Sequence, residues 1–197
     1  MNIRVFFIGD ELVAGYGDAR ALGWVGRTIA RSPNDPPMMS VPLAWPGQTT
    51  EQLVGRWESE VLPRLDREAD NRLVIGLGSH DLGRTTTARS RLYLANLLDN
   101  AHRQNLPTFV VGPPPRLDVT HRAQEALSQA FSEVCERRKV PFVDCYSPLK
   151  EHEQWLTDMA MSPDSYCPRQ AGYGLMTWLV LHRGWHSWLG VEPQVSE

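Results

Sequence analysis

The sequence predicts an α/β protein, a three-layer α/β/α sandwich on a five-stranded parallel sheet. Three observations predict it. Short apolar runs alternate with longer amphipathic stretches along the chain, the pattern of a parallel sheet covered on both faces. Several of these runs stop at glycine, as at Gly9, Gly78 and Gly112, which marks strand ends. The 197 residues carry no internal repeat and no linker, so one domain is expected over residues 1–190, with a tail at 191–197 and fraying at Gln194–Glu197.

The elements follow in order. Residues 4–8 form the first strand, an apolar run ending at Gly9-Asp10, and a helix is expected around residues 24–30. After the proline-rich loop 31–37 comes a short strand at 39–44, which Pro42 assigns to a sheet edge. Thr49 or Thr50 caps the next helix, which ends near Pro63. Residues 72–77 are almost wholly apolar and read as a central strand. Residues 87–104 form a long amphipathic helix, with Leu94, Leu97 and Leu98 on its buried side. A strand at 108–111 stops at Gly112-Pro-Pro-Pro115; a helix at 120–138 and a strand at 140–143 complete the sheet. A short helix near 149–157 leads into a loop from 161 to 171. One last helix, 172–188, is expected to line up Trp178, Leu181, Trp185 and Trp188 on one face.

Composition bounds the class. The chain is 42% apolar and 22% charged, with a formal net charge of −3, so nothing points to a nucleic-acid partner. Cys135, Cys145 and Cys167 are odd in number and form no CxxC pair; they read as reduced thiols. The first strand follows Met1 too closely for a signal peptide, and no apolar run reaches membrane length. A cytoplasmic protein is expected, with a small-molecule substrate or ligand, no membrane, and an open oligomeric state.

Polar residues collect where strands end, the place where open α/β sheets put their chemistry. After the first strand stands Gly9-Asp10-Glu11-Leu12-Val13-Ala14-Gly15. After the second comes Trp45-Pro46-Gly47-Gln48-Thr49-Thr50, and after the third Gly78-Ser79-His80-Asp81. Val111-Gly112-Pro113-Pro114-Pro115 follows the fourth strand, and the late loop reads Pro163-Asp164-Ser165-Tyr166-Cys167-Pro168 before Ala171-Gly172-Tyr173. In order and spacing, these five segments over about residues 4–188 resemble the blocks of the GDSL, or SGNH, hydrolases.

The resemblance implies a flavodoxin-like sheet with strand order 2-1-3-4-5 and an esterase or acylhydrolase ancestry. It implies that Gly47 gives its N–H to an oxyanion hole and that Asp164 is the acid of the last block. It also implies three departures. Glu11 stands where the family has its nucleophilic serine, His80 where an oxyanion asparagine is usual, and Cys167 where the histidine base belongs. Asp10, Asp81 and Trp45 adjoin these positions as candidate substrate contacts.

A serine-esterase mechanism needs a hydroxyl nucleophile and an imidazole base; Glu11 and Cys167 supply neither in place. Three readings stay open; hydrolysis or acyl transfer on a small ester-type (acyl or acetyl) substrate through Glu11, His80 and Cys167 is the leading expectation, and a catalytically inactive binding module the alternative. In the first, Cys167 attacks, His80 is its base and Glu11 orients the imidazole, with Asp164 behind Cys167; a neighbouring imidazolium would then lower the thiol pKa. In the second, Glu11 is a general base for water, with His80 as polarising acid. In the third, the fold has lost catalysis and binds a ligand or partner. No cofactor is expected. No metal is expected either, because the Glu, His, Cys and Asp candidates show no ligand-spacing motif. His102, His121 and His152 read as solvated, His182 and His186 as surface residues of the last helix, and Gly76-Leu77-Gly78 as no dinucleotide fingerprint.

Overall fold

The computed structural model describes residues 1–164 and 166–193. Five parallel strands run in the order β2-β1-β3-β4-β5: β1 (Ile3–Gly9), β2 (Met38–Ala44), β3 (Asp70–Gly76), β4 (Thr108–Val111) and β5 (Phe142–Val143). β2 is the edge strand that Pro42 anticipates. β1 pairs β2 and β3 over its full length, with Gly9 opposite Ala44 and Gly76. The carboxyl ends of the three strands are therefore level, and the loops that follow them converge. Gly9 sits at φ +155°, and a Cβ there would lie 2.0 Å from the Gly76 carbonyl oxygen, so no side chain fits where β1 meets β3.

The side-chain alternation of β1 builds two cores. Val5 and Phe7 face a layer holding Trp24, Trp155, Tyr173 and Trp185; Phe6 and Ile8 face the layer of Leu53, Trp57, Leu97 and Phe131. Both faces are covered, which is why the strand reads as a continuous apolar run. The first layer is α1 (Gly23–Ala30), α6 (Glu153–Ala160), α7 (Gln170–Val180) and α8 (His186–Leu189); the second is α2 (Thr50–Val61), α3 (Thr87–Arg103) and α4 (His121–Arg137). Thr49, Thr86 and Thr120 cap the N-termini of α2, α3 and α4, and at Thr49 a full capping box forms with Gln52. No helix among the described residues is long and apolar enough to cross a membrane.

Two expectations need correction. Residues 146–160 form two helices, α5 (Tyr146–Leu149) and α6, not one. The final helix is broken: Arg183 (φ −117°) and Gly184 (φ +102°) leave helical geometry and separate α7 from α8. The break changes the helical phase, so Trp185 is buried while Trp178 is 54% exposed and stacks on His182. The fraying expected at Gln194–Glu197 lies outside the described residues.

Candidate active site

The loop after β1 holds Asp10 and Glu11 in fixed places. Asp10 accepts the Leu12 N–H at 3.0 Å through Oδ1, while Val13 N–H and Tyr16 N–H return to the carbonyls of Asp10 and Glu11. These turns aim the Glu11 side chain towards the loops after β2 and β3. There Gly47 (φ +70°) donates its N–H to Glu11 Oε2 at 2.8 Å, and His80 Nε2 meets Glu11 Oε1 at 2.8 Å. Glu11 and His80 are 5% and 6% exposed. Burial pushes the Glu11 carboxyl up, but hydrogen bonds from His80, Gly47 and its own N–H outweigh that and leave it below the usual range. One carboxylate thus gathers the donors that the resemblance assigns to an oxyanion.

Asp10 has a different balance. It is fully buried, Oδ2 has no hydrogen-bond partner among the described residues, and burial together with the charge of Glu11 raises its pKa to about 7. A carboxylate oxygen of Asp10, a carboxylate oxygen of Glu11 and a ring nitrogen of His80 lie within 4.8 Å of one another.

Two residues frame His80 that sequence reasoning did not single out. The Tyr166 ring meets the imidazole edge-on, with centroids 5.2 Å apart. The Arg116 guanidinium covers Tyr166 at 5.3 Å and donates to the Ser79 carbonyl at 2.6 Å, fixing the loop that carries His80. Tyr166 stands inside a segment that was read for its neighbour Cys167, and Arg116 directly follows the proline run. Their positions gave the only signal.

The other candidates fall elsewhere. Cys167 is fully buried and makes no hydrogen bond to His80 among the described residues. Burial, with the charges of Glu11, Asp164 and Asp10, pushes its thiol well above the ordinary range. These surroundings give no support to the expectation of a thiol activated by a neighbouring imidazolium. The half-buried Asp164 acts on Cys167 through its charge, and its carboxylate has no hydrogen bond among the described residues. The two oxygens of Asp81, expected as a substrate contact, accept the Thr50 N–H at 2.7 Å and hydroxyl at 2.6 Å, tying the His80 loop to α2. Trp45 is 59% exposed on the rim, with the Arg56 guanidinium 5.8 Å from its ring. Gly47 is where expected, but its N–H is engaged by Glu11. Of the hydroxyls near the site, Thr49 is spent on its cap, Ser79 Oγ is buried without a partner, and Ser165 lies outside the described residues.

Comparison with known proteins agrees with the fold. A crystal structure of TesA superposes with a TM-score of 0.75 at 19% identity, covering 92% of this chain and 97% of that one. The lipase/acylhydrolase from Enterococcus faecalis gives 0.74 at 22% identity, with 98% and 100% covered. Axe2, an acetylxylan esterase from Geobacillus stearothermophilus, gives 0.78 at 19%, with 96% of each chain covered. No curated protein matches the sequence. The model of the GDSL-like lipase/acylhydrolase family matches residues 7–175, and the chain belongs to that family.

Proposed function

We propose that this protein is a ligand-binding member of its family in which the covalent ester chemistry has been lost. The observation that carries the reading is the double engagement of Glu11: Gly47 N–H and His80 Nε2, each at 2.8 Å, hold its carboxylate. An ester oxyanion needs those donors free and aimed at it. A resident carboxylate fills them and would repel a second anion at about 4 kcal/mol over 4 Å in partly screened surroundings. The buried, unactivated Cys167 offers no replacement nucleophile.

A second reading, hydrolysis by water with Glu11 as base, draws support from the contact between Glu11 and His80. The same contact holds the Glu11 carboxyl below its usual range and so makes it a weak proton acceptor. A panel of small acetyl and acyl esters, thioesters and amides separates the readings. The wild-type protein is expected to turn over none of them above buffer and to give no burst. Turnover that survives Cys167→Ala and disappears in Glu11→Ala would establish the water mechanism instead. Turnover that disappears in Cys167→Ala would establish the thiol mechanism.

A further inference from the structure

We infer that Asp10, Glu11 and His80 form a binding site for a first-row divalent cation, with manganese, cobalt and zinc as its class. The inference rests on the ligand-binding reading above and names the ligand. Its starting point is the orphaned Oδ2 of Asp10, a fully buried carboxylate oxygen with no hydrogen-bond partner among the described residues. Such an oxygen is costly to bury unless something satisfies it. Asp10 offers a carboxylate oxygen within 4.8 Å of both a Glu11 oxygen and a His80 ring nitrogen.

The geometry suits an ion. Glu11 Oε1 and His80 Nε2 are 2.8 Å apart. At metal–ligand distances of about 2.1 Å they would subtend about 85°, close to the right angle of a six-coordinate ion. The Asp10 oxygen, within 4.8 Å of both, would have to move inward to complete the set, because neighbouring ligands of such an ion stand about 3 Å apart and opposite ones about 4.2 Å. The donors are already braced as ligating carboxylates usually are: Gly47 N–H holds the other oxygen of Glu11, and Leu12 N–H holds Asp10 Oδ1. The Tyr166 edge holds the imidazole. Two carboxylates with one imidazole favour manganese, cobalt or zinc over magnesium or calcium, which prefer all-oxygen sets. A divalent charge would also balance two adjacent buried acids that now share a single imidazole. Asp10 is sealed, whereas Glu11 and His80 keep slight exposure. No spacing motif announces the site, because two donors are neighbours in the chain and the third is distant.

The test titrates the chelator-treated full chain with MnCl2, ZnCl2 and MgCl2 by calorimetry, and with CoCl2 by visible absorption. Expected are one equivalent of manganese or zinc per chain, a rise in Tm, ligand-field bands for cobalt, and no heat with magnesium. Asp10→Asn and His80→Gln should each weaken binding at least tenfold, while Cys167→Ser and His182→Ala leave it unchanged. Absence of a saturable equivalent in the wild-type protein overturns the inference even if both site variants fail to fold. So does binding that survives Asp10→Asn, or that vanishes with Cys167→Ser or His182→Ala. The outcome is separable from that of the ester panel: turnover by the chelated protein would sink the non-catalytic reading without touching the titration.

Discussion

Asp10 and Asp18 lie in the same loop after β1, both buried, and their surroundings are opposite. Asp18 is saturated with donors. Its oxygens accept the N–H groups of Arg20, Leu22 and Gly23 and pair with the Arg27 guanidinium. Burial raises its pKa, but those partners prevail and bring it down to about 2. Asp10 has one backbone donor and an oxygen with none, and its pKa is raised to about 7. A carboxylate kept for stability is given every partner the fold can spare. One left short at the end of a strand, beside a second acid and an imidazole, marks a site. Asp81 and Asp158 belong with Asp18: the first holds Thr50, and the second accepts the N–H groups of Arg169 and Gly172 at the start of α7.

The contrast breaks most severely at Asp18. Asp18→Ala removes the partner of Arg27, whose side chain is only 11% exposed, and strands three backbone N–H groups, so a loss of about 3–5 kcal/mol is expected in urea unfolding. A loss below about 1 kcal/mol would place Asp18 among ordinary surface pairs. The pH dependence follows with a definite sign. Because the folded pKa is depressed, the stability Asp18 supplies is complete above its unfolded value of 3.8 and is lost as pH falls towards 2. The gap in stability between wild type and Asp18→Asn should therefore shrink between pH 5 and pH 2; a gap that holds constant contradicts the ion-pair account.

Asp81→Ala comes next. It frees the Thr50 N–H and hydroxyl, both buried at the junction of α2 with the His80 loop, and should cost about 1–3 kcal/mol. It should also weaken any ligand bound through His80, because the loop loses its tie to α2. Unchanged stability would return Asp81 to the list of substrate contacts.

Much of this was legible in the chain because it is local. The apolar strand runs, Pro42 at an edge, Thr49 before a helix and the level glycines at strand ends each report a short-range constraint. Glu11, His80 and Gly47 stand out through their positions in the family blocks, and hydrogen bonds join Gly47 and His80 to Glu11; Cys167, expected to converge with Glu11 and His80, has no hydrogen bond to either among the described residues. The roles of Asp81, Asp158, Arg116 and Tyr166 were not legible. Each is settled by a side chain reaching over a separation that no periodicity records, such as 31 residues from Thr50 to Asp81 or 37 from Ser79 to Arg116. The break at Gly184 was hidden for another reason: a single glycine inside a helical pattern is compatible with continuation, and packing of Trp185 against Phe7 and Phe109 decides otherwise.

The smallest effect is expected at Cys167, and it sharpens what the acids do to their neighbours. The charges of Glu11, Asp164 and Asp10 add to burial in disfavouring the thiolate, and Arg116 opposes them. Cys135 and Cys145 are buried too; burial pushes Cys135 up to about 12, and burial and Asp144 raise Cys145. Since the thiolate is the reactive form, iodoacetamide at pH 7.5 should add nothing to the native protein within hours by intact mass. In urea it should add three adducts, one for each cysteine. A fast single adduct at Cys167, slowed by His80→Ala, would reinstate the cysteine as nucleophile and make Glu11 the group that orients its base. Equal protection of all three thiols leaves the acids and the imidazole as the ligand-binding part of the site, with Cys167 a packing residue beside them.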